Sequence, residues 1–369
     1  MIRVFKERGG DKPIGIIGEL VDELAFNDVL FSEAQNAALD LMIEKKIRGI
    51  ILLDSLEDFA FDQETMSHAI SGLLKCQGEF RQPGSPAEIR ICLPAELYHV
   101  FMRLSSNPNK DFQHHLTLHW HAGELIRLAC YRYALYLKLY EQRLYREFDH
   151  LDLNRRSDAL SFWNSIFPIR ITNRIGSVET SIAYILRHTQ LLPRQFLMYL
   201  NKICSKNRRF NSTPKQIMEK AILEGIFETE GIICQEVFRA FKYRFPGAEQ
   251  ACKQCIPYLP LYFPYGELHR VYNKHGQGIF GVYEFGDLLN MLIEIGVIGR
   301  VIRETDRYIE GRFEYNAPHH LVVSSDDRLC LHPVFSEVFA AKKPEVGPET
   351  RAIYPFGTDI DEPEFRELI

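Results

Sequence analysis

Residues 49–58, GIILLDSLED, place the strongest constraint on what this chain can fold into. A glycine precedes four large aliphatic residues, and acids follow at Asp54, Glu57 and Asp58. An unbroken apolar run predicts a buried parallel strand, because strands covered on both faces are apolar throughout. Acids at the carboxyl end of such a strand are placed to face a nucleotide and its magnesium ion.

The segments around this strand alternate between helix and strand patterns. Residues 33–47 are amphipathic, and residues 63–80 predict a second helix. Residues 88–97, EIRICLPAEL, predict a second short strand. This order is typical of a parallel sheet with helical crossovers, and it stops near residue 120. Residues 114–120, HHLTLHW, alternate as a strand does.

The middle of the chain is predicted to be helical. We expect a long helix over residues 122–144 and two helices, broken at Pro193, over residues 177–207. A further long helix is expected to begin at a capping Ser212 or Thr213.

The C-terminal part predicts a helix that ends at Gly296 and turns into a strand. Two more strands, joined by polar turns, are expected over residues 308–317 and 321–335. A helix followed by a small hairpin is the outline of a winged helix. Beyond Lys342 the sequence is rich in proline and acids, which predicts an extended tail.

The expected fold class is therefore α/β or α+β. A partial parallel sheet with flanking helices precedes a helical middle and a winged-helix-like C-terminal domain. The predicted regions are an α/β region over 1–125, a helical lid-like domain over 126–255, a winged-helix-like domain over 256–342 and an extended acidic tail over 343–369.

Charge and apolar content limit the classes of function. The net charge of -5 gives no global attraction to nucleic acid or to an anionic membrane, so either would need a local patch. No apolar run approaches the roughly 20 residues that span a bilayer. The N-terminal residues contain no apolar signal core, so we expect a cytoplasmic protein without a membrane partner.

The eight cysteines are expected to be reduced thiols, because a chain of 369 residues can bury a core without a disulfide framework. Cys252 and Cys255 form one CxxC, but no second ligand pair completes a zinc site. We interpret them as two small residues on one helix face. His115, His119 and His121 would share a strand face, which we interpret as a polar face rather than a metal site.

Five motifs in order carry a family resemblance. They are IILLDSLEDF, EIRICLPAELYHVF, HLTLHWHAGELIRLACYRY, LLPRQFLMYLNKI, and the C-terminal set DLLNMLIEIGVIGRV, YIEGRFEY and LCLHPVF. Together they resemble a bacterial P-loop ATPase of the AAA+/STAND type, from its Walker B strand through its lid helix to its winged helix. The resemblance covers roughly residues 45–340.

The chain departs from this family at the phosphate-binding loop. A Walker A loop, GxxxxGK[ST], wraps phosphates with backbone N–H groups and balances their charge with a lysine. Upstream of Gly49, RGGDKPIG has Lys12 but lacks the glycine spacing and the following Ser or Thr, and GIIGEL has no lysine. LPAE, residues 93–96, also replaces the family's Arg-Ser-Asp pattern. The chain thus resembles the back of such an ATPase without its front.

The resemblance implies roles for a few residues. Asp54 would hold the water shell of magnesium, Glu57 or Asp58 would orient the attacking water, and Arg194 would be the lid arginine that reaches the γ-phosphate. Without a Walker A loop these carboxylates alone would repel a triphosphate. We therefore interpret Asp54 as a strand-end acid that caps the following helix. A cation at a helix N-terminus is unfavourable, which indicates a partner for Arg194, such as a carboxylate.

The sharpest basic segment is KNRRFNSTPKQ, which contains Lys206, Arg208, Arg209 and Lys215. It predicts either contact with a nucleic-acid backbone or a solvated run of charges at a helix end. Arginines near the predicted hairpin alternate with acids, which suits a protein-contacting wing at least as well as a DNA-contacting one.

Three functional hypotheses follow. The first is a degenerate ATPase-like interaction or scaffold protein, in the bacterial defence or DNA-maintenance setting that the resemblance implies. The second is an ATPase completed by a partner subunit, which would use ATP and magnesium. The third is a nucleic-acid-binding protein that uses the winged helix. We favour the first, with no cofactor, and expect a protein partner or self-association through the N-terminal region, because the missing front would leave a sheet edge to cover.

Overall fold

The computed structural model describes residues 28–54, 63–80, 84–94, 102, 105, 107, 115–210, 213–242, 244–316, 321–342 and 351–356. The chain divides into two compact units, Met1–Thr117 and Leu118–Ile369. Among the described residues, no helix is long and apolar enough to cross a membrane.

The N-terminal unit contains two helices and a pair of strands in the described part. Its elements are α1 (Asp28–Glu44), β1 (Gly49–Leu53), α2 (Gln63–Phe80) and β2 (Ala87–Ile91). The two strands pair in parallel, with Ile51 opposite Ile89. This confirms the predicted helix–strand–helix–strand order and the parallel pairing that a helical crossover requires.

Burial in this unit lies on α2 and β2. Ile70 and Leu74 of α2 are buried, as are Ala87 and Ile89 of β2. The predicted burial of β1 is wrong: Ile50, Ile51 and Leu52 are 54%, 46% and 69% exposed. A parallel strand is covered only when neighbouring strands and helices flank it, and β1 pairs with β2 alone in the described part of the sheet.

Residues 115–120, the described part of the strand predicted over 114–120, form no regular element. Leu116 is 84% exposed and Leu118 is 80% exposed. Alternation indicates a strand only where one face is buried and the backbone has a pairing partner, and these residues have neither in the described structure.

The C-terminal unit begins with a helical layer. Its elements are α3 (Ala122–Tyr140), α4 (Gln142–Tyr145), α5 (Arg156–Ile166), β3 (Arg170–Thr172), β4 (Val178–Thr180), α6 (Ser181–Arg187), α7 (Pro193–Phe210), α8 (Glu219–Ala240) and α9 (Ala248–Cys255). The long helix and the break at Pro193 are as predicted. The predicted cap of α8 is wrong, because Met218 precedes its first residue and Thr213 lies five positions further upstream.

The second layer of this unit is a curled sheet with short helices. It contains β5 (Tyr262–Pro264), α10 (Tyr265–His275), α11 (Phe285–Glu294), β6 (Ile298–Glu304), β7 (Tyr308–Arg312), β8 (Arg328–Leu331), α12 (Pro333–Val338) and β9 (Ala352–Tyr354). The five strands lie in the order β5-β8-β6-β7-β9. All neighbours are antiparallel except β7 and β9, which are parallel.

Gly296 ends α11 with a φ of 77°, a conformation that glycine adopts without steric cost, and the chain enters β6 as predicted. The hairpin of β6 and β7 is part of a larger sheet, so the unit is mixed α/β and the winged helix stays a prediction. Part of the predicted tail is buried: β9 is an edge strand of this sheet, and all three of its residues are buried. Its apolar residues AIY explain why it packs where the surrounding proline-rich sequence predicted an exposed tail.

One apolar core joins the helical layer to the sheet. Phe162, Phe196 and Ile226 come from the helices, and Phe263 and Phe335 come from the second layer. Cys252 and Cys255 are buried on α9 as free thiols, which confirms their interpretation as small residues of one helix. Burial raises the pKa of the Cys255 thiol to about 11, so it stays protonated at neutral pH.

The close approach of α7 and α8 depends on a glycine. A Cβ at Gly225 of α8 would lie 2.7 Å from the Cγ1 atom and 3.0 Å from the Cα atom of Ile203 on α7. We expect Gly225→Ala to lower the free energy of unfolding by about 1–3 kcal/mol, because the two helices must separate. Urea unfolding measures this from the midpoint at unchanged slope.

Gly231 of the same helix is the matched control. It is exposed, and a Cβ there would meet nothing within 4 Å. Gly231→Ala is expected to raise the free energy of unfolding by about 0.5–1 kcal/mol through helix propensity alone. Equal effects of the two substitutions would contradict the close contact.

Candidate functional site

The predicted catalytic acids are only partly located. Asp54 follows β1 and is exposed. The backbone N–H of Cys92 donates to the carbonyl of Leu53 at 2.8 Å, so the carboxyl ends of β1 and β2 lie at the same edge. Glu57 and Asp58 lie outside the described residues, as do Lys12 and the last two residues of the LPAE segment, Ala95 and Glu96. Asp54 therefore occupies the expected strand end, and its catalytic role stays a prediction.

Arg194 is the second residue of α7, and its side chain is 81% exposed. Its Nη2 atom lies 3.3 Å from the Oε1 atom of Glu236 on α8. The prediction that this cation has a carboxylate partner is confirmed. An exposed pair of this kind contributes about 0–1 kcal/mol, so it leaves Arg194 free to exchange partners.

The lysines of the basic segment are neutralised by glutamates. Lys206 contacts Glu224 at 3.7 Å and also pairs with Glu228, which the upstream Lys202 contacts at 3.0 Å. Hydrogen bonds from the two lysines lower the pKa of Glu228. Lys215 pairs with Glu147. The segment is therefore not a continuous cationic strip.

The two arginines of the segment are exposed and have a different environment. Arg208 donates from Nη2 to the hydroxyl of Tyr136 at 3.4 Å, and its guanidinium lies 6.0 Å from the centre of that ring.

Asn207, in the last turn of α7, holds the backbone that connects α7 to α8. Its side chain donates to the Gln216 carbonyl and accepts from the Met218 N–H, both at 2.9 Å. This clamp, rather than the predicted Ser or Thr, organises the start of α8.

A buried polar cluster surrounds Glu179 of β4. Arg187 of α6 donates to both of its oxygens, with Nε 3.1 Å from Oε2 and Nη2 3.1 Å from Oε1. Asn173 donates to Oε1 at 2.6 Å, and the hydroxyl of Tyr354 on β9 donates to Oε2 at 2.9 Å. All four side chains are buried, so a single carboxylate joins β4, α6 and β9.

A second buried pair lies beside it. The Nδ1 atom of His188 is 2.7 Å from Oε1 of Glu230, and Arg174 is 3.7 Å from Oε2 of the same carboxylate. Burial, followed by the charges of Arg187 and Arg174, holds the pKa of His188 well below its ordinary value. His188 is therefore a neutral imidazole beside Glu230 and Arg174.

The cavity at this cluster measures about 30 Å³, and it is lined by Arg174, Arg187, Arg351, His188 and Glu337 among others. This volume holds about one water molecule and excludes a substrate. Each arginine contacts a carboxylate: Arg187 pairs with Glu179, Arg174 with Glu230 and Glu337, and Arg351 with Glu304. The cluster is therefore a structural network rather than a reaction centre.

A larger cleft lies between α3 and α7, which we call the α3–α7 cleft. Its volume is about 360 Å³. The lining residues are Ala129, Arg132, Tyr133, Tyr136, Glu141, Leu197, Leu200, Asn201, Cys204, Ser205, Asn207, Arg208, Thr213, Pro214 and Ile217. Of the predicted site residues, Arg208 lines this cleft.

The predicted histidine face is not formed. His115, His119 and His121 are exposed in a segment without regular structure, and His114 lies outside the described residues. No group of three or more His, Cys, Asp or Glu side chains within the described structure is placed to hold a metal ion. Near the hairpin, Arg303 pairs with Glu310 at 3.8 Å and Arg328 with Glu304 at 2.7 Å, so part of the positive charge there is neutralised.

Sequence reasoning missed both the Glu179 cluster and the α3–α7 cleft. The available signal for the first was the Arg187–His188 pair, which follows the apolar run SIAYIL. The available signal for the second was the spacing of Tyr133 and Tyr136, which places them on one helix face. Neither pattern names its partner, because Tyr354 is 175 positions away from Glu179.

Comparison with protein families, with curated proteins and with solved structures finds no match to this chain.

His332, fully buried before α12, gives a test of the buried network. Its Nε2 atom lies 3.1 Å from the Thr189 carbonyl, and its Nδ1 atom accepts from the Val334 N–H. Burial lowers its pKa to about 3. In the unfolded chain a histidine has a pKa of about 6.5. As the pH falls below that value, the unfolded state binds a proton that the native state does not.

We therefore expect the free energy of unfolding to fall by about 1.4 kcal/mol per pH unit for this group as the pH drops from about 6.5 towards 3. His188 acts in the same direction. His332→Asn keeps a helix-capping acceptor but does not titrate. For this variant, the change in the free energy of unfolding with pH, measured by urea unfolding between pH 6 and 4.5, should be smaller by an amount that corresponds to about one proton. An unchanged slope would contradict the assignment.

Proposed function

We propose that this chain is an interaction or scaffold protein with a degenerate P-loop ATPase-like fold, which associates through its N-terminal unit. The observation that carries the proposal is the exposure of β1. A strand with four consecutive aliphatic residues presents a large apolar area to water, and such patches mark association surfaces. The bacterial defence or DNA-maintenance setting rests on the sequence resemblance alone.

The same strand supplies an edge as well as an apolar face. In the described part of the unit, β1 and β2 form a two-stranded sheet. The backbone groups at the outer side of β1 can accept another strand, and proteins cover such edges with partners or other elements. A second copy of the chain has the same exposed edge, so we propose that the assembly forms by self-association.

The lysine–glutamate pairs support this reading over nucleic-acid binding at the basic segment. Backbone phosphates bind where lysine and arginine charges are available, and Lys206 and Lys215 already contact glutamates. The partner-completed ATPase has Asp54 and Arg194 as its support. The exposed pair of Arg194 with Glu236 is weak, so what opposes this alternative is the absence of a recognisable Walker A loop from the sequence.

Leu52→Glu tests the association surface. The wild-type chain should self-associate at micromolar concentration, and the substitution should weaken association by about tenfold or more, because a charge would be desolvated in the interface. Sedimentation velocity measures both. Val322→Glu, at a 73% exposed apolar position of the C-terminal unit, is the control and should leave association unchanged. A monomeric wild type with an intact fold would overturn the proposal.

Nucleotide binding tests the degenerate site. Calorimetry with ATP and magnesium should show no binding that depends on Asp54 and Arg194, since the phosphate-binding loop is missing from the sequence. The variants are Asp54→Ala and Arg194→Ala. Binding by the wild type that both substitutions weaken would show a working nucleotide site and would replace the scaffold proposal by the ATPase.

A further inference from the structure

The α3–α7 cleft has the size and lining of a small-molecule site. Its volume of about 360 Å³ lies in the range of roughly 300–1,000 Å³ that ligand pockets occupy. It belongs entirely to the C-terminal unit, and neither Asp54 nor Arg194 lines it. Any ligand it binds is therefore separate from the nucleotide site that the sequence resemblance implies.

One wall of the cleft is aromatic. The rings of Tyr133 and Tyr136 lie one turn apart on α3, with their centres 5.9 Å from each other. The hydroxyl of Tyr133 donates to the Pro214 carbonyl at 2.5 Å. This hydrogen bond connects α3 to the loop before α8 and fixes the position of the Tyr133 ring. The two ring planes are tilted by 49°, so a flat ligand can stack on one ring and contact the other at its edge.

The floor beneath this wall is apolar. Ala129, Tyr133, Leu200 and Cys204 line both the cleft and a smaller cavity of about 20 Å³ below it. That cavity extends to the side chain of Trp163, which is itself fixed by a 3.1 Å hydrogen bond from Nε1 to Ser181. A ligand that enters here loses water from its apolar faces.

The rim carries two guanidinium groups. Arg208 contacts Tyr136 and, in the described structure, no carboxylate, whereas the nearby Lys206 pairs with Glu228. Arg132 also lines the cleft and is exposed. The acid at this rim is Glu141, so the lining side chains carry a net charge of +1 from two arginines and one glutamate. Arginine binds phosphate through paired N–H donors.

Asn201 and Ser205 complete the lining on α7, one turn apart. Their side chains can donate to and accept from the edge of a ring or a sugar hydroxyl. The cleft thus combines stacking rings, an apolar floor, hydrogen-bonding groups and a single unit of excess positive charge. Such a set matches one flat ring and one anionic group in the same ligand.

We propose that the α3–α7 cleft binds a planar heteroaromatic ring that carries a single phosphate, with a nucleoside monophosphate as its size class. The ring lies against Tyr133 and Tyr136, and the phosphate lies at Arg208 and Arg132. Glu141 opposes the larger negative charge of a triphosphate. This site adds a ligand to a chain proposed above to be a scaffold.

The test is calorimetry of the full-length chain with AMP, adenosine and ribose 5-phosphate. AMP should bind saturably, and each half-ligand should bind at least about tenfold more weakly, since each lacks one of the two recognised groups. Arg208→Ala should weaken AMP binding by about tenfold, the effect of losing a charge-assisted hydrogen bond. Tyr136→Ala should weaken AMP and adenosine alike.

Arg209→Ala is the matched control, because Arg209 is an exposed arginine next in sequence and does not line the cleft. It should leave AMP binding within about twofold. Thermal melts verify that each variant is folded.

Three outcomes overturn the site. They are no saturable binding of AMP to the folded wild type, equal binding of adenosine and AMP, and equal losses in the Arg208 and Arg209 variants. These readouts do not depend on β1, so the site and the scaffold proposal fail separately.

Discussion

The C-terminal unit depends on the hydrogen bonds that the buried carboxylate of Glu179 accepts. This carboxylate accepts hydrogen bonds from Arg187, Asn173 and Tyr354, and so it connects β4, α6 and the edge strand β9. A buried charge costs several kcal/mol of desolvation unless paired and hydrogen-bonded, and here all the surrounding groups supply that compensation. The geometry of the three elements is therefore fixed together, since moving any one of them removes a hydrogen bond from the buried carboxylate.

This network also explains why the polar cavity beside it is not a reaction centre. Arginines in an active site are held ready for a substrate, whereas here the carboxylates of Glu179, Glu230, Glu337 and Glu304 already occupy them. His188 is neutral and enclosed. A perturbed pKa would single out these residues as functional. Here they are structural, because ion-pair networks perturb pKa values as catalytic sites do.

The N-terminal unit has the opposite character. Its α2 and β2 bury a few aliphatic side chains, while β1 exposes its own. An apolar strand at a sheet edge is a hazard in a monomer and an advantage in an assembly, because the same backbone and side chains that aggregate also pair specifically. In the C-terminal unit, lysines of α7 pair with glutamates of α8. Of the four basic residues of the basic segment, Arg208 lines the α3–α7 cleft.

The sequence by itself determined the local elements of this protein. The helical periods of α1, α3, α7 and α8, the break at Pro193, the turn at Gly296 and the parallel pairing of β1 with β2 all follow from short-range patterns. The carboxylate partner of Arg194 followed in the same way, because the field of a helix terminus is a local property. Asp54 and Arg194 lie at their expected elements for this reason.

Only the tertiary structure decided which of these elements are covered. The aliphatic run of β1 and the alternation over residues 114–120 both predict burial, but burial requires a second surface that no short window of sequence specifies. Conversely, β9 is buried although its neighbours are proline-rich and acidic, and Glu179 meets Tyr354 across 175 positions. The α3–α7 cleft arises in the same way, from two helices whose packing depends on long-range contacts rather than on the periodicity of either helix.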